Sequence, residues 1–269
     1  MAIELMVLVL VWLTEAAASS SSALSVAKPG CNDTCGNVTI PYPFGFVAGC
    51  YANHHFSITC NYPFNPPKPY LTTYNLEVLE IDTSSRWFST VVVLYPVLAS
   101  DCQNWTNAHG LVKLSSPFWF SRRFNYFTGE GCDKQALMRG HGGKLLGGCI
   151  SSCRDKVDLN NGGICQARLP PSLSFINASL SSVNTDSKNN ADLEKECHYA
   201  FISDHEWDYY NSTDQHAMQV TGRVPAVLDW DTQGECESFS SISASSNENS
   251  MRRPLCKAKH SRCRETRND

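Results

Sequence analysis

Thirteen cysteines in 269 residues constrain this chain more than any other feature of its sequence. Reducing compartments keep thiols from cross-linking, so this density marks a secreted chain whose core is stapled by disulfides. Ten of them, Cys31, Cys35, Cys50, Cys60, Cys102, Cys132, Cys149, Cys153, Cys165 and Cys197, form an even set that can close into five bridges. Spacing alone leaves their connectivity open. Cys236, Cys256 and Cys263 form an odd set in the tail, which leaves a thiol over if it pairs only within itself.

The N-terminus agrees with an oxidising destination. Leu5 to Leu13 is an unbroken apolar run followed by Ala16-Ala17-Ala18, the length and small-residue ending of a secretory leader and too short to span a bilayer. A leader over residues 1–27 and a secreted, extracellular mature chain are therefore expected. Five N-x-S/T sequons, at Asn32, Asn37, Asn104, Asn177 and Asn211, fit a glycoprotein.

Local patterning is that of strands and turns. Leu76 to Asp82 alternates loosely, and Trp87 to Tyr95 is aromatic and β-branched until Pro96 interrupts it. Thirteen prolines and 16 glycines supply turns. One short helix is expected near Ala191 to Cys197, and the serine-rich stretch Ser238 to Ser250 reads as a linker. The expected fold is mainly β: a disulfide-rich secreted ectodomain of short antiparallel strands with few short helices.

A net charge of -4 excludes a chain that is basic throughout, and no motif for nucleic acid is present. The charge is uneven. Residues 30–170 carry 11 Lys and Arg against 9 Asp and Glu, whereas residues 171–235 carry 3 against 11. Within the first segment, Lys113, Arg122, Arg123, Lys134, Arg139 and Lys144 are interleaved with Phe118, Trp119, Phe120, Phe124, Tyr126 and Phe127. Guanidinium forks bind carboxylates and rings stack on sugar faces, so these six cations are candidate ligands for an acidic sugar chain. The competing reading buries the rings as core and leaves the charges as a solvated rim.

Catalytic signatures are missing. Gly140 to Leu145 has glycines and a lysine but not the phosphate-loop spacing, so it is a turn. No G-x-S-x-G or H-E-x-x-H occurs. Cys149 and Cys153 have no second pair at zinc spacing, His54 and His55 belong to a turn, and acids such as Asp204, Glu206, Asp208, Asp229 and Asp231 are ordinary surface groups unless a cleft pairs them. No metal and no cofactor are expected, and a non-enzymatic role is favoured.

The segment Cys31 to Cys60, with Cys35-Gly36, Ile40-Pro41-Tyr42-Pro43-Phe44-Gly45, Gly49-Cys50 and Phe56, resembles the opening of the extracellular galacturonan-binding region of plant wall-associated receptor kinases. The resemblance continues through Leu76 to Ile81, Phe127 to Asp133, Gly147-Gly148-Cys149, Cys197 to Phe201 and Val224 to Trp230. It implies binding of pectin, as de-esterified homogalacturonan or its oligomers in the cell wall, with calcium entering through the pectin carboxylates. It also implies a layout of 28–135 as the cysteine-rich binding domain, 136–235 as the following ectodomain region and 236–269 as a disordered linker with a truncated EGF-like start. The expected short form lacks a complete EGF module, a membrane helix and a kinase. A second reading is an interaction or decoy protein that pairs with a full-length receptor-kinase ectodomain, and a third is a pectin hydrolase. Around Asn161 to Gln166 only Cys165 stands where relatives carry more cysteines, so one family bridge is expected to be missing or re-paired.

Overall fold

The computed structural model describes residues 26–83, 89–102, 112–152, 163–183, 197–207 and 211–232. Residues 1–25 of the expected leader, the serine-rich stretch, the three tail cysteines, Cys153, Asn104, Asp208 and most of the helix expected near Ala191 lie outside them. So does the start of the strand expected from Trp87.

The strands expected over Leu76 to Asp82 and up to Tyr95 are present as β5 (Leu76–Asp82) and β6 (Thr90–Pro96). Pro96 does not interrupt β6 but ends it, opposite Arg223, a terminal position where a missing N–H is tolerated. These two strands belong to a six-stranded antiparallel sheet with β3 (Ile58–Asn61), β4 (Lys68–Leu71), β8 (Phe118–Phe120) and β15 (Arg223–Trp230), in the order β3-β4-β5-β6-β15-β8. The last described strand therefore fills the gap between β6 and β8. A four-stranded sheet takes the order β12-β9-β14-β7, from Ile164–Arg168, Asn125–Glu130, Tyr199–Asp204 and Ala99–Ser100. A three-stranded sheet runs β11-β10-β13, from Leu145–Ile150, Lys134–Arg139 and Asn177–Ser182. Thr34–Cys35 (β1) and Val38–Thr39 (β2) form a small ribbon.

Alternation decides which side of each strand is inside. Ile58, Leu71 and Leu76 are successive cross-strand partners on the buried face, which Val78, Val93, Ala226 and Leu228 continue. Phe44, from the proline-framed Ile40 to Gly45 segment, meets Phe56 at 5.1 Å and Trp230 at 5.3 Å, both edge to face. Phe118 lies 5.4 Å from Phe56. Such T-shaped pairs stabilise beyond the area they bury. Gly45 is required here because a Cβ would lie 2.7 Å from the Cys50 carbonyl carbon.

Disulfides Cys31–Cys50 and Cys35–Cys60 pin the segment before β3, Cys102–Cys197 ties the exit of β7 to the entry of β14, and Cys149–Cys165 joins β11 to β12. Cys132 is disulfide-bonded as well. Cys165 has thus found Cys149 as its partner.

One helix, α1 (Ser212–Thr221), occurs among the described residues at a place the sequence reading passed over. Asn211 caps its start and Gly222, left-handed at φ 65°, ends it. Met218, its buried residue, packs with Val97, Tyr199, Phe201 and Val224.

Candidate functional site

The six candidate cations do not converge. Arg122 and Arg123 are exposed on the turn between β8 and β9, Lys113 is exposed before β8, and Lys144 is exposed just before β11. Lys134 and Arg139 stand five positions apart on β10, hence on opposite faces. Lys134 is committed to Asp101 at 2.8 Å, with only 17% of its side chain exposed. Burial pushes the Asp101 carboxyl up, but the hydrogen bond from Lys134, the N–H of His198 and the electrostatic pull of His198 and Lys134 outweigh it and hold the carboxyl below its ordinary range. Arg139 donates to the Gly143 carbonyl at 3.4 Å.

Nor do the interleaved rings form a platform. Phe118, Phe120 and Phe127 are buried core, Arg168 covers the Tyr126 ring at 4.6 Å, and Phe124 stands 5.8 Å from the His205 ring. Trp119 is half-buried on β8 beside Asp229. Burial pushes the Asp229 carboxyl up to about 6, against the opposing pull of Ser121, Arg123 and Trp119.

A different surface combines rings, amides and charge. On the outer face of the six-stranded sheet, Thr59, Tyr70 and Glu77 are successive cross-strand partners across β3, β4 and β5. They line a shallow groove of about 440 Å³ that is completed by Asn61, Phe64, Thr72, Asn75 and Arg223. Phe64 is 44% exposed and lies 5.1 Å from the Lys68 ammonium, and Tyr62 nearby is 71% exposed. Lys68 bonds both Glu77 carboxylate oxygens, at 2.9 and 3.1 Å, and the Tyr70 hydroxyl donates to the same carboxylate at 3.4 Å. Burial, followed by the Glu77 charge, raises the Tyr70 phenol.

Arg223 reaches into the groove from the start of β15, donating through Nη1 to the Leu94 carbonyl at 3.2 Å. No carboxylate among the described residues lies within ion-pair distance of its guanidinium. The Asn61 and Asn75 side-chain amides also have no partner among the described residues, and Asn75 sits at φ 52° in the β4–β5 turn, a conformation asparagine tolerates better than most residues. Sequence reasoning missed this groove. The available signal was the string Asn61 to Tyr70, where Tyr62, Phe64 and Tyr70 alternate with prolines that hold rings in loops and edge strands.

Among the described residues no group of three or more His, Cys, Asp or Glu side chains is arranged to hold a metal ion, and no helix is long and apolar enough to cross a membrane. Asp204 accepts from the Glu206 N–H at 3.2 Å and lies 3.0 Å from the His205 ring. The sequons at Asn32, Asn37, Asn177 and Asn211 are all exposed.

Residues 31–93 match the family model described as wall-associated receptor kinase galacturonan-binding. The chain is 29% identical over 227 residues to wall-associated receptor kinase 4 of Arabidopsis thaliana, covering 77% of this chain and 28% of the relative. It is likewise 29% identical over 247 residues to wall-associated receptor kinase-like 3 of the same plant, covering 82% and 33%. Wall-associated receptor kinase-like 1 gives 28% over 230 residues, with 77% and 30% covered. The chain is thus similar to wall-associated receptor kinases over about three quarters of its length, with residues 31–93 matching the galacturonan-binding model, and it spans about a third of the length of the curated relatives it matches. No solved structure matches it.

Proposed function

We propose that this chain is a non-enzymatic extracellular module that binds pectin in the plant cell wall, recognising de-esterified homogalacturonan and its oligomers. One observation carries the reading. The stretch that matches the galacturonan-binding family, residues 31–93, contributes seven of the eight residues lining the groove of rings, amides and hydroxyls on the outer sheet face. Homology to receptor ectodomains supports a role outside the cell. A binding role is preferred to hydrolysis because Asp204 is occupied by its neighbours and the groove carries one carboxylate, Glu77, where glycoside hydrolysis uses a facing pair.

The exposed cations Lys113, Arg122, Arg123 and Lys144, with the half-buried Arg139, act in this reading as a diffuse attractive field for a polyanion, speeding encounter more than fixing geometry. Lys134 contributes least, since Asp101 neutralises it. The test is titration of the glycosylated mature chain with defined oligogalacturonides and with neutral glucans. Binding to the uronates alone is expected, weakening as salt rises from about 0.1 M, where exposed charges are screened over about 10 Å. A chelator arm removes calcium, which cross-links galacturonan through carboxylate oxygens. Equal binding of neutral and acidic glycans would overturn the reading.

A further inference from the structure

We infer that the outer-face groove seats a single uronate residue, with Arg223 taking its carboxylate and the Phe64 and Tyr70 rings flanking its pyranose face. The inference rests on the pectin-binding reading above and assigns it a place that the basic run from Lys113 to Lys144 does not occupy.

Charge decides first. Lys68 and Glu77 neutralise each other at 2.9 Å, which leaves Arg223 as the groove's uncompensated cation. Its described hydrogen bond uses one donor, from Nη1 to a neutral carbonyl, while a guanidinium offers five in a planar fork that matches a carboxylate. Arg223 is half-buried and lines the open groove with no acid beside it among the described residues, so its remaining donors are available to an arriving carboxylate.

Shape and polarity decide second. A pyranose presents an apolar C–H face and a rim of hydroxyls. Phe64 and Tyr70 offer ring surface for the face, and the Asn61 and Asn75 amides, which have no partner among the described residues, offer donors and acceptors for the rim. Thr59 and Thr72 bond each other through their hydroxyls at 2.9 Å and keep capacity to accept from a sugar. An acidic peptide would satisfy Arg223 but would leave ring and amide surface without matching groups.

The sign of the Glu77 charge separates this proposal from general attraction. Glu77 lines the groove and neutralises Lys68, so removing its charge leaves a second uncompensated cation beside the seat and strengthens binding of an anion. The experiment compares wild type, Arg223→Gln, Phe64→Ala, Glu77→Gln and Arg122→Gln/Arg123→Gln, each checked by thermal melting, against oligogalacturonides, with polyglutamate as competitor at equal carboxylate concentration. Arg223→Gln is expected to weaken binding about tenfold, the scale of one lost charge-assisted contact. Phe64→Ala weakens it less, Glu77→Gln tightens it, and the Arg122/Arg123 variant changes mainly the association rate. Should Arg223→Gln fail to fold, Phe64→Ala and Glu77→Gln still test the seat, since one alters an exposed ring and the other predicts a gain. Unchanged affinity in Phe64→Ala and Glu77→Gln, with wild type still binding, overturns the groove and leaves the pectin reading standing. Wild type that binds no oligogalacturonide overturns both. Polyglutamate competing as well as oligogalacturonide would reduce the site to charge alone and defeat the sugar assignment.

Discussion

The middle of the six-stranded sheet and the outer strands β11, β12 and β13 of the three- and four-stranded sheets are held together by different means. In β6 five of seven residues are buried, and in β15 five of eight. In β11, β12 and β13 not one residue is fully buried. No described disulfide joins β5, β6, β15 or β8, whereas Cys149–Cys165 joins β11 to β12. The Cys149–Cys165 bridge stands where packed apolar area runs short, and packing carries β6 and β15 where Phe44, Phe56, Phe118 and Trp230 interlock. A close approach enforces the same division: a Cβ on Gly129 would fall 2.5 Å from the Ala136 Cβ and 3.1 Å from the Cys165 sulfur, so the strand beneath the bridge must carry glycine there.

Two substitutions set this contrast against itself. Phe56→Ala should cost about 3–5 kcal/mol, the range for removing a buried aromatic side chain, because Phe56 is fully buried among Phe44, Phe118 and Trp230. Replacing Cys149 and Cys165 together by serine should cost about 3 kcal/mol, as expected for a short closed loop; the two cysteines are 16 residues apart. Denaturant melts give the totals and amide exchange gives the location. Phe56→Ala should lower protection across β5, β6 and β15. The double serine variant should expose β11 and β12 first. Loss of protection in β6 after the serine replacement, at full protection of β12, would break the comparison.

The pH dependence sharpens it at one residue of the packed sheet. Asp229 stands on β15 between Thr90 and Trp119, and burial pushes its carboxyl up to about 6 against the pull of Ser121, Arg123 and Trp119. The folded chain therefore holds this proton more tightly than the unfolded chain. Its contribution to stability is complete below the unfolded carboxyl range and is lost as pH rises through about 6. Allowing for partial exposure, the loss is about 2 kcal/mol. Asp229→Asn should remove that slope, giving a variant more stable than wild type at neutral pH and similar at low pH, as read from denaturant midpoints across a pH series. An unchanged slope would place the titration elsewhere.

Much of the fold was legible because its signals are local. β5 runs over the residues its alternation indicates, and the proline-framed ring segment from Ile40 to Gly45 lies where cysteines surround it. The site was not legible, because sequence proximity and spatial proximity part company on a strand. Lys134 and Arg139 look like one basic cluster in the sequence, yet the two-residue period sends them to opposite faces. Arg223 looks isolated in an acidic segment, yet β15 inserts beside β6 and carries it to the groove formed by β3 to β5. Rings between the cations were equally ambiguous, since Phe118 and Phe120 mark a buried face as readily as a binding one. The helix escaped because, among its described side chains, only Met218 is buried, leaving caps rather than periodicity as its signature.

Those caps give the smallest of the expected effects and test the joint between the two regions, since α1 packs on β15 through Met218 and meets Phe201 of the four-stranded sheet. Asn211 Oδ1 accepts from the Thr213 N–H at 3.0 Å, satisfying one of the amides that a helix start leaves without a partner. Asn211 also opens an N-x-S/T sequon, and a glycan would be carried by Nδ2, so capping and glycosylation use different atoms of one side chain. Asn211→Ala removes both, and should cost about 1 kcal/mol. Asn211→Asp removes the glycan acceptor, keeps an oxygen at the cap and adds a negative charge at the positive end of the helix dipole, so it should hold stability at the wild-type level. Thermal melts of the two variants made with and without glycosylation separate the contributions. A loss confined to Asn211→Ala assigns the stability to the cap. Equal losses in both would assign it to the glycan, and would mean that the two regions are joined at α1 by a modification rather than by the helix's own hydrogen bonds.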